Sequence, residues 1–262
     1  MTVFAAIATL PTVLIVAIFT VFFSTVTFTT RYLVRRRSSP ERQEELVTLA
    51  EAMNGPTGVA MAFLIGFSVT ITWGTISTAQ SAVEEVAASA QEVAWLTENL
   101  SDRGKADAIV QTLKQYLETI ATQDQARLAA ADLTDMPSFT YLDKLEEQVR
   151  EIAAGDSVGD QEASRALTAA STVEQKQADL VSIARRQLPT SMLWLLLIAG
   201  TLSSMVMGIV ATKVEHPFLL VGWALVSAIG ISVVLSLYNP FAGDVAVDLQ
   251  PLDDAAQRIV EP

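Results

Sequence analysis

The chain has 262 residues, 51% of them apolar and only 18% charged, with a mean hydropathy of +0.38. That is too apolar for an ordinary soluble enzyme of this length. An excess of acid, 29 acidic against 17 basic residues, argues against nucleic acid as a partner, since phosphates demand clustered Lys and Arg; the absence of cysteine removes disulfides, thiolate metal sites and cysteine nucleophiles.

The apolar residues gather in four charge-free blocks. The first runs from Met1 to Thr30 and is long enough to cross a bilayer core, which takes about 20 residues. No Lys or Arg precedes it and no short apolar core ends at a cleavage site, so it is expected to be a span and not a signal peptide. Pro11 is placed to kink it. Positive charge follows in Arg31, Arg35, Arg36, Arg37 and Arg42, within a connection covering residues 31–54. The second block extends from Gly55 to Val83, the third from Leu188 to Thr212 and the fourth from Pro217 to Gly243. Lys213, Glu215 and His216 occupy the short turn between the last two, which makes those an antiparallel hairpin. Trp73, Trp194 and Tyr238 fall near span ends, where amphipathic rings prefer to sit.

Short-loop arginines set orientation. The basic connection 31–54 is expected in the cytoplasm, which places the N-terminus, residues 76–187 and the C-terminus outside. The 76–187 segment carries 10 basic and 19 acidic residues. Its pattern is helical. Ile76, Ala79, Val83, Val86, Ala90, Val93 and Leu100 recur at three- and four-residue steps, so the second span is expected to continue as one helix from Thr57 to Leu100. Ala106, Ile109, Val110, Leu113, Leu117 and Ile120 form a second amphipathic face. A third helix carries Leu142, Leu145, Val149 and Ile152 after the breaker Met136–Pro137–Ser138. A fourth, about 161–187, carries Leu167, Ala170, Val173, Leu180 and Ala184. Four such stripes can bury one another as a bundle. The tail 244–262 is acidic and is expected to be weakly ordered beyond Pro251.

The last hairpin, ending in Asn239-Pro240-Phe241-x-Gly243-x-Val245-x-Val247, resembles the C-terminal part of the bacterial bestrophin-like domain family. Two spans, a helical insert and two more spans agree with that family. In addition, Phe63-Leu64-Ile65-Gly66-Phe67-Ser68-Val69-Thr70 is similar to the second span of true bestrophins, which are pentameric anion channels. The resemblance implies that Val59, Phe63 and Phe67, which share one helix face, line an apolar pore neck able to gate by dewetting. Three features depart from true bestrophins. Their Arg-Trp-Trp run is replaced here by Trp73-Gly74-Thr75-Ile76, their domain after the second span is cytoplasmic whereas the arginine cluster here puts residues 76–187 outside, and the acidic excess of the insert would repel anions.

Plainer readings stand beside these. Val59, Phe63 and Phe67 can face lipid or a neighbouring helix. Gly55, Gly58, Gly66 and Gly74 read as close helix packing. Glu84 and Glu85 can form a cation-selecting ring at the mouth of the second span, or simply mark where the helix leaves the membrane. His216 is more ordinarily a solvated turn residue than a pH-responsive one. Asp156, Asp160 and Glu162 lack calcium-loop spacing, and Glu146, Glu147 and Glu151 read as a solvated face. No nucleophile elbow, phosphate loop, dinucleotide fingerprint or zinc-protease motif occurs, and no charge lies inside a span.

The expectation is an all-α integral membrane protein of the bacterial inner membrane, with four transmembrane helices and an acidic helical bundle between the second and third. Its parts are 1–75, holding spans one and two with the basic connection; 76–187, the insert; 188–243, the hairpin; and 244–262, the tail. The functional expectation is a homo-oligomeric channel subunit in a lipid bilayer, not an enzyme, without cofactor or metal. The alternative is a non-conducting scaffold or sensor binding a protein partner through residues 76–187.

Overall fold

The structure is a computed structural model, and it describes residues 10–98, 102–154, 160–185, 188–215, 218–243 and 245–259, with the side chains of residues 160–163 set aside. Among the described residues every regular element is helical. In chain order these are α1 (Thr12–Arg37), α2 (Pro40–Thr97), α3 (Arg103–Thr119), a π-helical turn (Ile120–Asp124), α4 (Gln125–Ala130), α5 (Pro137–Ala153), α6 (Asp160–Ala184), α7 (Thr190–Val210) with a 3-10 turn (Ala211–Lys213), α8 (Leu219–Ser236) and α9 (Gln250–Arg258). Four helical stretches, Thr12–Arg37, Pro40–Thr97, Thr190–Lys213 and Leu219–Ser236, are long and apolar enough to cross a membrane. The chain forms two compact units. One holds residues 1–74, 187–239 and 243–245; the other holds 75–186, 240–242 and 246–262.

In the first unit α1 packs on α7 and α8. Ile15, Phe19 and Phe23, one turn apart, bury one face of α1 in a cluster with Met61, Leu193, Leu196, Ala224, Ala228, Ile231 and Leu235. Lipid is as apolar as these side chains, so close approach decides the packing more than removal from water does. The glycines that permit it are not those the sequence singled out. A Cβ on Gly200 would lie 2.8 Å from the Phe23 ring, one on Gly208 2.5 Å from the Thr27 carbonyl oxygen, and one on Gly230 2.6 Å from Ile65. Around Gly55, Gly58, Gly66 and Gly74 there is open space within this chain. Hydroxyls add the interhelical polar contacts: Thr27 donates to the Ser204 carbonyl at 3.2 Å, and Thr12 and Ser236 share a bond at 2.9 Å.

The basic connection 31–54 is helical except at Ser38 and Ser39. Ser38 is extended (φ −107°, ψ 141°), and Pro40 disfavours helical backbone at the residue before it. The Gln43 amide then caps the freed carbonyls of Val34, Arg35 and Ser38. As a result α2 starts well before Thr57 and carries Pro56 in its interior, with the Thr57 hydroxyl donating to the Met53 carbonyl at 2.9 Å beside it. Leu100 lies outside the described residues.

The fourth span ends at Ser236, short of Gly243. Asn239 precedes a proline, and Gly243 takes φ 91°, a left-handed backbone that glycine adopts without strain. Tyr238, two residues past the end of that span, turns its ring into the apolar cluster of the first unit. Nor is the tail loose beyond Pro251. Residues 250–258 form α9 because Leu252, Ala255 and Ala256 share one face and bury it, with α9 packed on α3.

In the second unit the expected stripes bury largely as read. Ile76, Ala79, Val83, Val86, Ala90 and Val93 are buried along α2, and Ala106, Ile109, Leu113 and Leu117 along α3. Asp102 caps α3 by accepting from the Gly104 and Lys105 amides at 3.1 and 3.2 Å. Leu145, Val149 and Ile152 on α5, and Ala170, Val173, Leu180 and Ala184 on α6, complete the core. Leu167 is exposed, an exception to its predicted stripe. The π-helical turn was not foreshadowed by the apolar spacing. It inserts one residue into the ladder and places Asp124 inside the bundle.

Candidate pore-lining face of the second span

Within the first unit α2 is held from one side. Met61, Ser68 and Thr72 are buried, and Leu64, Ile65 and Val69 pack against the apolar cluster. At about 100° per residue the opposite face carries Val59, Phe63, Gly66, Phe67, Thr70 and Gly74. Val59 is 71% exposed, Phe63 69% and Phe67 48%. The Phe63 and Phe67 rings stack nearly parallel, 6.0 Å apart at 7°. Of the most apolar window in α2, 17% is buried by its own chain, against 50% for α8. A span covered so thinly by its own fold presents an apolar surface to something else, either lipid or another copy.

That face offers no free polar group. Thr70 turns its hydroxyl onto the Gly66 carbonyl at 2.9 Å, and on the packed side Ser68 and Thr72 do the same to Leu64 and Ser68. A ring of such faces would be apolar and desolvating, with stacked phenyl groups at its narrowest level.

The structure separates the two acids farther along α2. Glu84 is exposed and lies 3.4 Å from the Gln80 amide. Glu85 is committed to Lys176 on α6 at 2.8 Å, and that hydrogen bond and charge hold the Lys176 ammonium above its ordinary range. Only Glu84 therefore keeps a charge with no cationic partner. The ion pair spans 91 positions of sequence, and nothing in local spacing signals it.

The motif residues Asn239 to Val247 form a return loop. The Val247 amide donates to the Pro240 carbonyl at 2.7 Å, and Pro240, Phe241 and Val247 are buried, while Gly243 and Val245 are exposed. Beyond the loop the Asp248 amide donates to the Gln80 side chain at 3.0 Å, and Asp248 accepts from the Gln250 amide at the start of α9. Glu146 pairs with Arg150 one turn on, as a solvated face allows. Among the described residues no group of three His, Asp or Glu is placed to hold a metal ion. His216 and Asp156 lie outside the described residues.

A family profile described as the bestrophin-like domain matches residues 21–252, from α1 through the start of α9. The chain belongs to the bestrophin-like family. Solved structures agree at the level of fold. A crystal structure described as a leucine-to-alanine variant of a membrane protein superposes with a TM-score of 0.74 at 12% identity, covering 95% of this chain and 98% of that one. A bacterial bestrophin homologue from Klebsiella pneumoniae, as a tryptophan-to-alanine variant, gives 0.73 at 12% identity over 95% and 96%. Its tyrosine-to-alanine variant gives 0.72 at 13% over 93% and 96%. A comparison with curated proteins finds no match. This bestrophin-like chain is therefore an all-α membrane protein with four spanning helices.

Proposed function

We propose that this chain is one subunit of a homo-oligomeric ion channel in the bacterial inner membrane, with α2 lining the path and Val59, Phe63 and Phe67 forming its apolar neck. The observation that carries the reading is the outward face of α2, on which two stacked phenyl rings and a valine stand uncovered while the opposite face is locked into the apolar cluster. Glu84, and the acid excess of residues 76–187, would bias such a path against anions. The deciding experiment is ion flux in liposomes containing purified protein. Wild type is expected to conduct little and the Phe63→Ala and Phe67→Ala variants more, with the oligomer intact. Zero flux in all three would remove the neck assignment.

Orientation follows from the arginine cluster in this proposal, with the N-terminus and residues 76–187 outside the cell. The chain lacks cysteine, so single replacements report cleanly. In intact cells an impermeant maleimide should label Ser157→Cys and spare Ser39→Cys; the opposite pattern would invert the topology.

One observation favours a second reading, a scaffold that binds a protein partner through the acidic unit. Trp95 on α2 is 61% exposed and borders a shallow groove of about 350 Å³ with Arg103, Asp107 and Arg258. On that reading no variant conducts, and Trp95→Ala loses a co-purifying protein.

A further inference from the structure

The core of the second unit contains a polar cluster that ion conduction does not use. The Tyr116 hydroxyl on α3 donates to the Gln177 side-chain oxygen on α6 at 2.8 Å, and the Gln177 amide donates to the Ser138 hydroxyl on α5 at 3.2 Å. All three side chains are buried, and so is Asp124, the last residue of the π-helical turn. The Asp124 oxygens lie near the Ser138 N–H and hydroxyl, but neither meets them in full hydrogen-bond geometry. The backbone N–H and hydroxyl of Ser138, in the first turn of α5, and the Arg127 guanidinium favour the ionised form, but desolvation outweighs them and pushes the carboxyl above its ordinary range. A buried carboxylate without completed bonds is among the costliest groups in a folded protein. A buried carboxylic acid is not, because its O–H can donate to Ser138.

The one cation that acts on Asp124 is Arg127, which forms no ion pair with it. Tyr116 faces Asp124 from α3, and burial pushes its phenol far upward, so it stays neutral. Arg127 on α4 is half-buried. Tyr141, Asp143 and Lys144 on α5, Glu174, Lys176 and Asp179 on α6, and Asp253, Asp254 and Arg258 on α9 all keep contact with solvent. The π-helical turn supplies a way out. It holds one residue more than an α-helical turn, and rewinding it to α geometry would rotate Asp124 by about 100° relative to α3.

We propose that the Asp124–Ser138–Gln177–Tyr116 cluster is an acid-responsive lock: with Asp124 neutral the π-helical turn is seated against α5, and loss of its proton to solvent unseats that turn. The proposal does not require the chain to conduct. The sign follows from linkage. A carboxyl whose proton is held more tightly in the folded state contributes stability that is complete below the ordinary carboxylate range. That contribution is lost as pH rises through its raised folded value.

The test uses the full-length protein in detergent. Its infrared spectrum should contain a protonated carboxylic acid band that persists as pH rises past the range where exposed carboxylates ionise, and that Asp124→Asn removes. The wild-type unfolding temperature should fall by several degrees between about pH 4 and about pH 9, the span from ordinary to deeply buried carboxyls. Asp124→Asn should flatten that slope by at least half. Should the variant not fold, hydrogen exchange of the wild type decides, with residues 120–130 and 137–141 exchanging several-fold faster at the alkaline end. No such band, an unchanged slope, or equal exchange at both pH values would each overturn the lock.

Discussion

The buried guanidinium of Arg31, near the end of α1, donates across 2.7 Å to the main-chain carbonyl of Val214, just past the 3-10 turn that closes α7. One turn on, Arg35 donates to the Thr212 carbonyl at 2.6 Å. The arginine cluster thus satisfies carbonyls orphaned at the end of another span. Arg31→Ala should destabilise the membrane unit by about 1.5–3 kcal/mol, the range for hydrogen bonds to charged groups. Arg37→Ala, with its exposed side chain, should change little. Thermal unfolding in detergent compares them, and equal effects would mean that the Arg31 bond adds nothing to the stability of the unit.

Helix contact in the membrane unit should be most sensitive at Gly208, where a new Cβ would meet backbone. Gly208→Ala is expected to cost about 1–3 kcal/mol as an overpacking change. Gly200→Ala should cost less, because the Cβ there meets side-chain and not backbone atoms. Gly222→Ala, with open space around it, serves as the control. Unfolding temperatures in that order would support the packing.

If α2 lines a dewetted neck, removing a phenyl ring lowers a desolvation barrier. Phe63→Ala should raise ion flux about tenfold, which corresponds to ~1.4 kcal/mol in the barrier. Phe22→Ala on α1, where Phe22 is also exposed in the single chain, should leave flux alone. Equal changes in both would mean that bilayer contact, not a neck, is being read.

The C-terminal helix is expected to be part of the fold of the second unit. Leu252 is fully buried in α9, so Leu252→Ala should cost about 2–5 kcal/mol, and Asp253→Ala on its exposed face almost nothing. Denaturant unfolding of the two variants separates a docked helix from a dispensable tail.

The four spans were legible because a bilayer demands an unbroken run of apolar residues, and charge-free blocks of that length announce themselves. The buried stripe on α2 from Ile76 to Val93 was legible for a related reason, since a helix with one apolar face repeats every three or four residues. Other features had no local signature. Gly55, Gly58, Gly66 and Gly74 looked like packing sites and are open within the chain, whereas Gly200 and Gly208 pack tightly. Which glycine meets a neighbour depends on how neighbouring helices cross. Nothing in the spacing around Asp124 marks it as inward-facing; the π-helical turn places it in the bundle.

By itself the sequence determined the class of this protein, the number of its spans, the helical nature of its acidic segment and the face shared by Val59, Phe63 and Phe67. Solvent imposes these segment by segment, through the length of an apolar run and the period of a stripe. Tertiary structure alone decided which face of α2 stays uncovered, that Glu85 is spent on Lys176, that the tail docks as α9, and that Asp124 lies buried beside Ser138. Those outcomes depend on which surfaces meet, and a contact such as Glu85 to Lys176, 91 positions apart, leaves no period for a sequence to display.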